Sequence, residues 1–174
     1  MLNMGNQYKS SVIEIGTSQV GEIKHLTNLV KPNIAAITNV SAGHLEGLKD
    51  TDSIANEKGD ILEFFDSNGI AILPRDSDFF KFWRNKTNAR KIVSFGFHKD
   101  SDFKVLNPVI DVKNNLTRFE LIHDGLIEEC SINRVGIHNT LNAAMGLAIC
   151  SVLNLNISEV KEALCNIDFP DRRM

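Results

Sequence analysis

Apolar and polar positions along this chain follow two different grammars. In the first part, short β-branched runs occupy residues 11–15 (SVIEI), 34–40 (IAAITNV), 69–73 (GIAIL) and 91–95 (KIVSF). Near-continuous apolar runs of this length suit parallel strands covered on both faces. Between them, helical periodicity predicts helices over roughly residues 21–29, 52–65 and 77–85. Strand–helix–strand order, repeated, argues for an α/β fold with a doubly wound, mostly parallel sheet. From Phe103 to Ile132 the pattern changes to alternating strands with turn signals, Asn114-Asn115 and then Asp124-Gly125 between TRFELIH and LIEECSI. That predicts a small antiparallel β extension. Helices over 139–153 and 158–166 close the chain, the second announced by Ser158 followed by Glu159 and Glu162. No repeat, low-complexity tract or linker interrupts the pattern, so a single domain is expected.

Composition narrows the function classes. The chain has 174 residues, 43% hydrophobic and 24% charged, enough for one ordinary core. A net charge of -3 leaves no basic footprint, so nucleic acid is not an expected partner. No apolar run approaches the ~18 residues of a membrane span and no signal peptide opens the chain, so a cytoplasmic location away from membranes is expected. Cys130, Cys150 and Cys165 are odd in number, lack metal-type spacing and sit among apolar neighbours, which reads as buried, reduced thiols.

Three polar residues stand where this pattern should resist them. An Asp/Ser/Thr cap at Thr51 or Asp52 starts a helix whose apolar stripe runs through Ile54, Ile61, Leu62 and Phe65. At about 100° per residue, Lys58 falls inside that stripe. Glu14 interrupts SVIEIG near the carboxyl end of a strand built for burial, where a carboxylate must be paired, protonated or metal-bound. His44 follows IAAITNV in the loop SAGHLEG. In open α/β sheets the ligand crevice lies beyond the carboxyl ends of the strands, so the three could share one crevice. Each also has a plainer reading: an edge or salt-bridged glutamate, a loop-bracing histidine, a lysine snorkelling to water over its apolar stem.

The run VIEIGTSQVGEIKHL…KPNIAAITNVSAGHLEGLKDTDSIANEKGDIL resembles the central domain of the Mur ligases, with motifs nearest to the branch that adds D-alanyl-D-alanine. GIHNTLNAAMGLAIC is similar to that family's H-N-x-x-N-A segment, and FPDRR resembles its proline–arginine boundary, with Asp171 where glycine is usual. The resemblance implies a P-loop-NTPase-like sheet and assigns roles by position. Glu14 and His44 would bind two magnesium ions, and Lys58 would be the family's carbamylated lysine, a third metal-side group. Asn139, Asn142 and His138 would meet the adenosine end of ATP, and Arg172, or Arg173 in the alternative register, would contact the nucleotide. A lysine desolvated by apolar neighbours has a lowered pKa, so its neutral amine can add carbon dioxide.

The implied reaction is ATP-driven amide formation in peptidoglycan precursor synthesis, by a monomer acting on small molecules. The carboxylate of a UDP-linked muramoyl tripeptide takes the γ-phosphoryl group, and the amine of D-alanyl-D-alanine displaces phosphate. No G-x-x-x-x-G-K-[ST] phosphate loop occurs in this chain. The resemblance therefore predicts a piece of a larger enzyme, inactive alone, with the phosphate loop and UDP-sugar domain upstream and a further domain downstream. Sister Mur ligases, a folylpolyglutamate synthase and a non-catalytic nucleotide-binding module remain as alternatives. A carbamyl-lysine metallohydrolase would need clustered histidines, and those here are scattered.

Overall fold

The computed structural model describes residues 9–40, 50–65 and 68–167. Within them the elements are α1 (Glu22–Val30), β1 (Ile34–Ala36), α2 (Thr51–Gly59), β2 (Ile70–Pro74), α3 (Phe80–Lys86), β3 (Lys91–Gly96), β4 (Phe103–Asp111), β5 (Leu116–His123), β6 (Leu126–Ile132), α4 (Ile137–Val152) and α5 (Ile157–Cys165). The six strands form one sheet in sequence order, parallel from β1 to β4 and antiparallel from β4 to β6. The mixed α/β class and the antiparallel extension expected from the sequence are both present.

Side-chain alternation divides the sheet into two buried faces. Ala35, Ile37, Ala71 and Leu73 pack with Ala55, Leu62, Phe65, Phe80 and Trp83, so α2 and α3 cover one face. Ile72, Val93, Phe95, Val105, Phe119, Leu121 and Ile132 pack on the other face against Ala143, Ala144, Leu147 and Ala148 of α4. The alanines let that helix lie close to the sheet. Along the flank of α4, α5 lays Ile157, Val160 and Leu164 onto the same core. Cys130 is buried there, and burial pushes its thiol up to about 11. The other two thiols, Cys150 and Cys165, are only half-buried.

Turn chemistry follows the sequence closely at Asp124-Gly125, where both residues take positive φ (49° and 78°), as a two-residue type I′ hairpin requires. In β4 the ladder shifts register between Leu106 and Val109. Asn107 has φ 48° there and Pro108 has no N–H to give, so the irregularity falls where a regular ladder bond could not form.

Several expectations are corrected. Residues 11–15 form no strand: Val12 is 95% exposed and Glu14 is exposed, not buried. A covered parallel strand needs a ladder partner, and among the described residues β1 pairs with β2 alone. The helix expected over 52–65 starts one residue earlier and yields at Gly59 to a single 3-10 turn, Asp60–Leu62. Its N-cap is Asp50, whose side chain accepts from Ser53 N at 2.7 Å. The cap of α5 is Asn156, not Ser158, because its Oδ1 accepts from Ser158 N while its Nδ2 donates to Glu159. The helix expected over 77–85 starts only at Phe80, after a turn in which the Ser77 hydroxyl accepts from Phe79 N.

Gly96 closes β3 at φ 150°, and a Cβ there would lie 2.2 Å from Asp76 Oδ2. That carboxylate accepts from Phe97 N at 2.7 Å and ties the loop after β2 to the loop after β3. Gly96→Ala is expected to cost about 1–3 kcal/mol, because it adds backbone strain and displaces this brace. An unchanged denaturation midpoint would show that Asp76 moves aside freely.

Candidate functional site

Lys58 lies one residue before the end of α2, the helix whose Ala55 packs in the layer over β1 and β2. Its side chain is half-buried, and Nζ donates to the carbonyl of Asn39 at 2.5 Å. Asn39 follows β1, so the ammonium emerges at the carboxyl end of that strand, where ligands of open α/β sheets bind. Burial lowers its pKa below the usual 10.5. The sequence expects Lys58 inside an apolar stripe; the structure shows it half-buried, with its head on a backbone carbonyl.

The buried carboxylate of this region is Glu57, which sequence reasoning passed over. It is 2% exposed, and it accepts from Gly21 N (2.8 Å, Oε2) and Ile23 N (2.9 Å, Oε1). Those N–H groups belong to the start of α1, whose N-cap is Gly21 and has no side-chain cap. The carboxylate thus caps α1 from another helix, where orphan donors and the positive end of the helix dipole favour an anion. Glu22, at the start of α1, accepts from Ser18 N (2.6 Å) and Gln19 N (2.9 Å), and these bonds hold its carboxyl below the usual range. Spacing gave a signal for Glu57: it stands three residues after Ile54 and four before Ile61, at the border of the same apolar stripe.

On its other flank α2 is pinned by α3. Trp83 Nε1 donates to Ala55 O at 2.8 Å, and a Cβ on Gly59 would meet Trp83 Cδ1 at 3.1 Å, so the indole packs directly on the backbone of α2. Lys86 Nζ donates to Asp60 Oδ1 (2.6 Å) and Asn56 Oδ1 (3.1 Å).

The HNTLN segment opens α4. Gly136 precedes it at φ 124°, where a Cβ would lie 2.7 Å from His138 Cε1. Asn139 Nδ2 donates to Val135 O at 2.8 Å, and its own N–H bonds to Gly136 O at 3.0 Å. One donor of the Asn139 amide is therefore committed to bracing the loop. His138 and Asn142 are exposed at the same helix start.

Not all the expected site residues come together. Glu14 stands exposed on the segment without strand structure. His44, Arg172 and Arg173 lie outside the described residues. Among the described residues no three His, Cys, Asp or Glu side chains converge to hold a metal. Magnesium takes oxygen ligands, and an ammonium is not one. The described residues therefore do not by themselves fit a magnesium ion.

Residues 1–150 match the family model described as the Mur ligase middle domain. The chain is 28% identical, over its full length, to the UDP-N-acetylmuramoyl-tripeptide–D-alanyl-D-alanine ligase of Buchnera aphidicola subsp. Baizongia pistaciae, of which it covers 37%. Against the Escherichia coli (strain K12) ligase of the same name it is 30% identical over 96% of this chain, again 37% of the relative. In fold it is similar to MurF from Acinetobacter baumannii, with a TM-score of 0.90 and 23% identity over 98% of this chain and 37% of that one. MurF from Thermotoga maritima in complex with ADP gives a TM-score of 0.73 and 21% identity, over 87% of this chain and 34% of that one. The chain spans little more than a third of the length of these relatives. At such identities the structural likeness establishes the fold alone.

Proposed function

The chain belongs to the Mur ligase family, matching its middle domain, and from that premise we propose that it is the ATP-handling part of a ligase that joins D-alanyl-D-alanine to a UDP-N-acetylmuramoyl tripeptide. The supporting observation is the match, across nearly the whole chain, to several relatives named for that reaction. The substrate carboxylate attacks the γ-phosphorus of ATP, forming an acyl phosphate and ADP. The amine nitrogen of the dipeptide then adds to the acyl carbon, loses a proton and expels phosphate, leaving one new amide bond. Positioning and electrostatic stabilisation supply most of the rate enhancement in such phosphoryl transfers.

In this reading Lys58 carries a carbamate. Its lowered pKa favours the neutral amine that carbon dioxide requires, and its place at the carboxyl end of β1 puts the resulting negative group at the expected crevice. Asn139, Asn142 and His138 take the adenosine end of the nucleotide from the start of α4, with Arg172 as a further nucleotide contact. Glu14 and His44 are proposed as magnesium ligands on resemblance alone, and no step is assigned to the metal. The phosphate loop and the sites for the UDP-sugar and the amine are proposed to lie on other parts of the full-length protein. A monomer working in the cytoplasm suits these small, diffusible substrates.

The test is phosphate release by the full-length protein. It should require ATP, the UDP-linked tripeptide and D-alanyl-D-alanine together. Release with another amine instead would assign a sister ligase, and nucleotide binding without amine-dependent release would leave a binding module. In the same assay Asn139→Ala should raise the KM for ATP by the equivalent of about 1–3 kcal/mol, the range for a buried partner left unsatisfied. An unchanged KM would reduce HNTLN to a helix-capping loop.

A further inference from the structure

We propose that Glu57 is a positioning residue for Lys58, locking the lysine-bearing helix to the segment that leads to Glu14; this rests on the reading of Lys58 as a functional group. The two side chains are consecutive on α2 and point about 100° apart. Glu57 grips the N–H groups of Gly21 and Ile23, while Lys58 reaches Asn39 O. Two bonds from one carboxylate to two amides of the same helix start fix both the distance and the rotation of α2 against α1. Rotation of α2 about its axis would carry Nζ away from the end of β1.

The clamp extends further. Directly after Gly21, Glu22 bonds the backbone N–H groups of Ser18 and Gln19 and also accepts from the Thr17 hydroxyl at 3.4 Å. The chain from Thr17 to Ile23 is thereby held by two carboxylates, and Glu14 lies three residues before it. Lys58 and Glu14 come from segments remote in sequence, and through Glu57 α2 grips the segment carrying Glu14. An apolar side chain here would leave the buried N–H of Ile23 unpaired, so capping α1 and holding α2 in place fall to the same carboxylate.

The test uses the full-length protein in bicarbonate-depleted buffer, with Glu57→Ala and Glu57→Gln. Lysine amines are labelled with an acylating reagent, and the label at Lys58 is quantified by mass spectrometry against that at Lys86. Lys86 is an internal reference, because it is tied to the opposite flank of α2 through Asn56 and Asp60. Positioning predicts that Glu57→Ala raises labelling of Lys58 several-fold while Lys86 stays at its wild-type rate. Glu57→Gln, which keeps an acceptor for one N–H, should fall between wild type and Glu57→Ala. In turnover, Glu57→Ala should lower kcat roughly 10–100-fold with the KM for ATP unchanged, the size of a small misplacement of a reacting group. Equal rises at both lysines, or no rise at either, would overturn the proposal and leave Glu57 a structural cap. If Glu57→Ala does not fold, the same ratio in Glu57→Gln decides. If labelling shifts as expected but Lys58→Ala is fully active, the positioning stands and the functional reading of Lys58 falls.

Discussion

Lys58→Ala in the full-length protein is expected to lower turnover roughly 10²–10³-fold, the range for losing one preorganised charge-stabilising group, while the domain stays folded. The loss should be chemical, not structural. The position is half-buried, its amine donates to Asn39 O, and desolvation lowers its pKa. Below that lowered pKa, folding must partly desolvate a charge, a cost relieved as pH rises through the folded pKa toward 10.5. Removing the amine at neutral pH therefore removes a penalty along with a bond. If the working group is a carbamate, small carboxylic acids in solution should partly restore Lys58→Ala by presenting the missing negative charge. If it is an ammonium, small amines should restore activity and carboxylates should not. Wild-type turnover should also fall when bicarbonate is rigorously removed at mildly acidic pH. Rescue by amines alone, or a fully active Lys58→Ala, would exclude the carbamate.

Trp83→Ala is expected to destabilise the domain by about 3–5 kcal/mol, as for other large-to-small changes at fully buried aromatic positions. Trp83 is fully buried, lies on the backbone of α2 at Gly59, and meets the ring of Phe79 at 5.9 Å. Truncation would empty the space between α2, α3 and the sheet and strip Ala55 O of its indole partner. A loss of this size is a large part of the 5–15 kcal/mol that holds a typical domain together. Trp83→Phe separates the two effects: it keeps most of the volume and loses the N–H, for about 1–3 kcal/mol. Urea midpoints followed by circular dichroism, with an unchanged slope, measure both. A Trp83→Ala loss below that of Trp83→Phe would mean that α3 is not what anchors α2.

What was legible in the sequence was what depends on local pattern. The GIAIL and KIVSF runs became β2 and β3 because each finds parallel neighbours and cover on both faces. Asp124-Gly125 fixed a hairpin because few residue pairs accept two positive φ angles. SVIEI is at least as rich in β-branched residues as those strands, yet strand formation depends on a ladder partner, which no local pattern encodes. Lys58 could be singled out because helical geometry fixes the direction of a side chain relative to its own stripe. Its acceptor, Asn39 O, is a backbone atom and invisible to pattern reading. Glu57 was missed for the converse reason: in EKGD it looks like half of a solvated charge pair, and its partners are the amides of a distant helix. The same limit hid Asn156 as a cap, since Ser158 offers an equally good cap by type.

The high pKa of Cys130 makes that residue a built-in reporter of sheet opening. With its thiol near 11, only about 10⁻⁴ of the population is thiolate at neutral pH, and the thiolate is the form that reacts. Its position on β6, in the core that α4 and α5 share with the sheet, keeps alkylating reagents out until strand and helices part. In a variant with Cys150 and Cys165 replaced by serine, the rate at which Cys130 is trapped would follow the local opening equilibrium of this half of the sheet. Compared with the unfolding free energy of the whole domain, it would tell whether the antiparallel hairpins open separately from the parallel strands or only together with them.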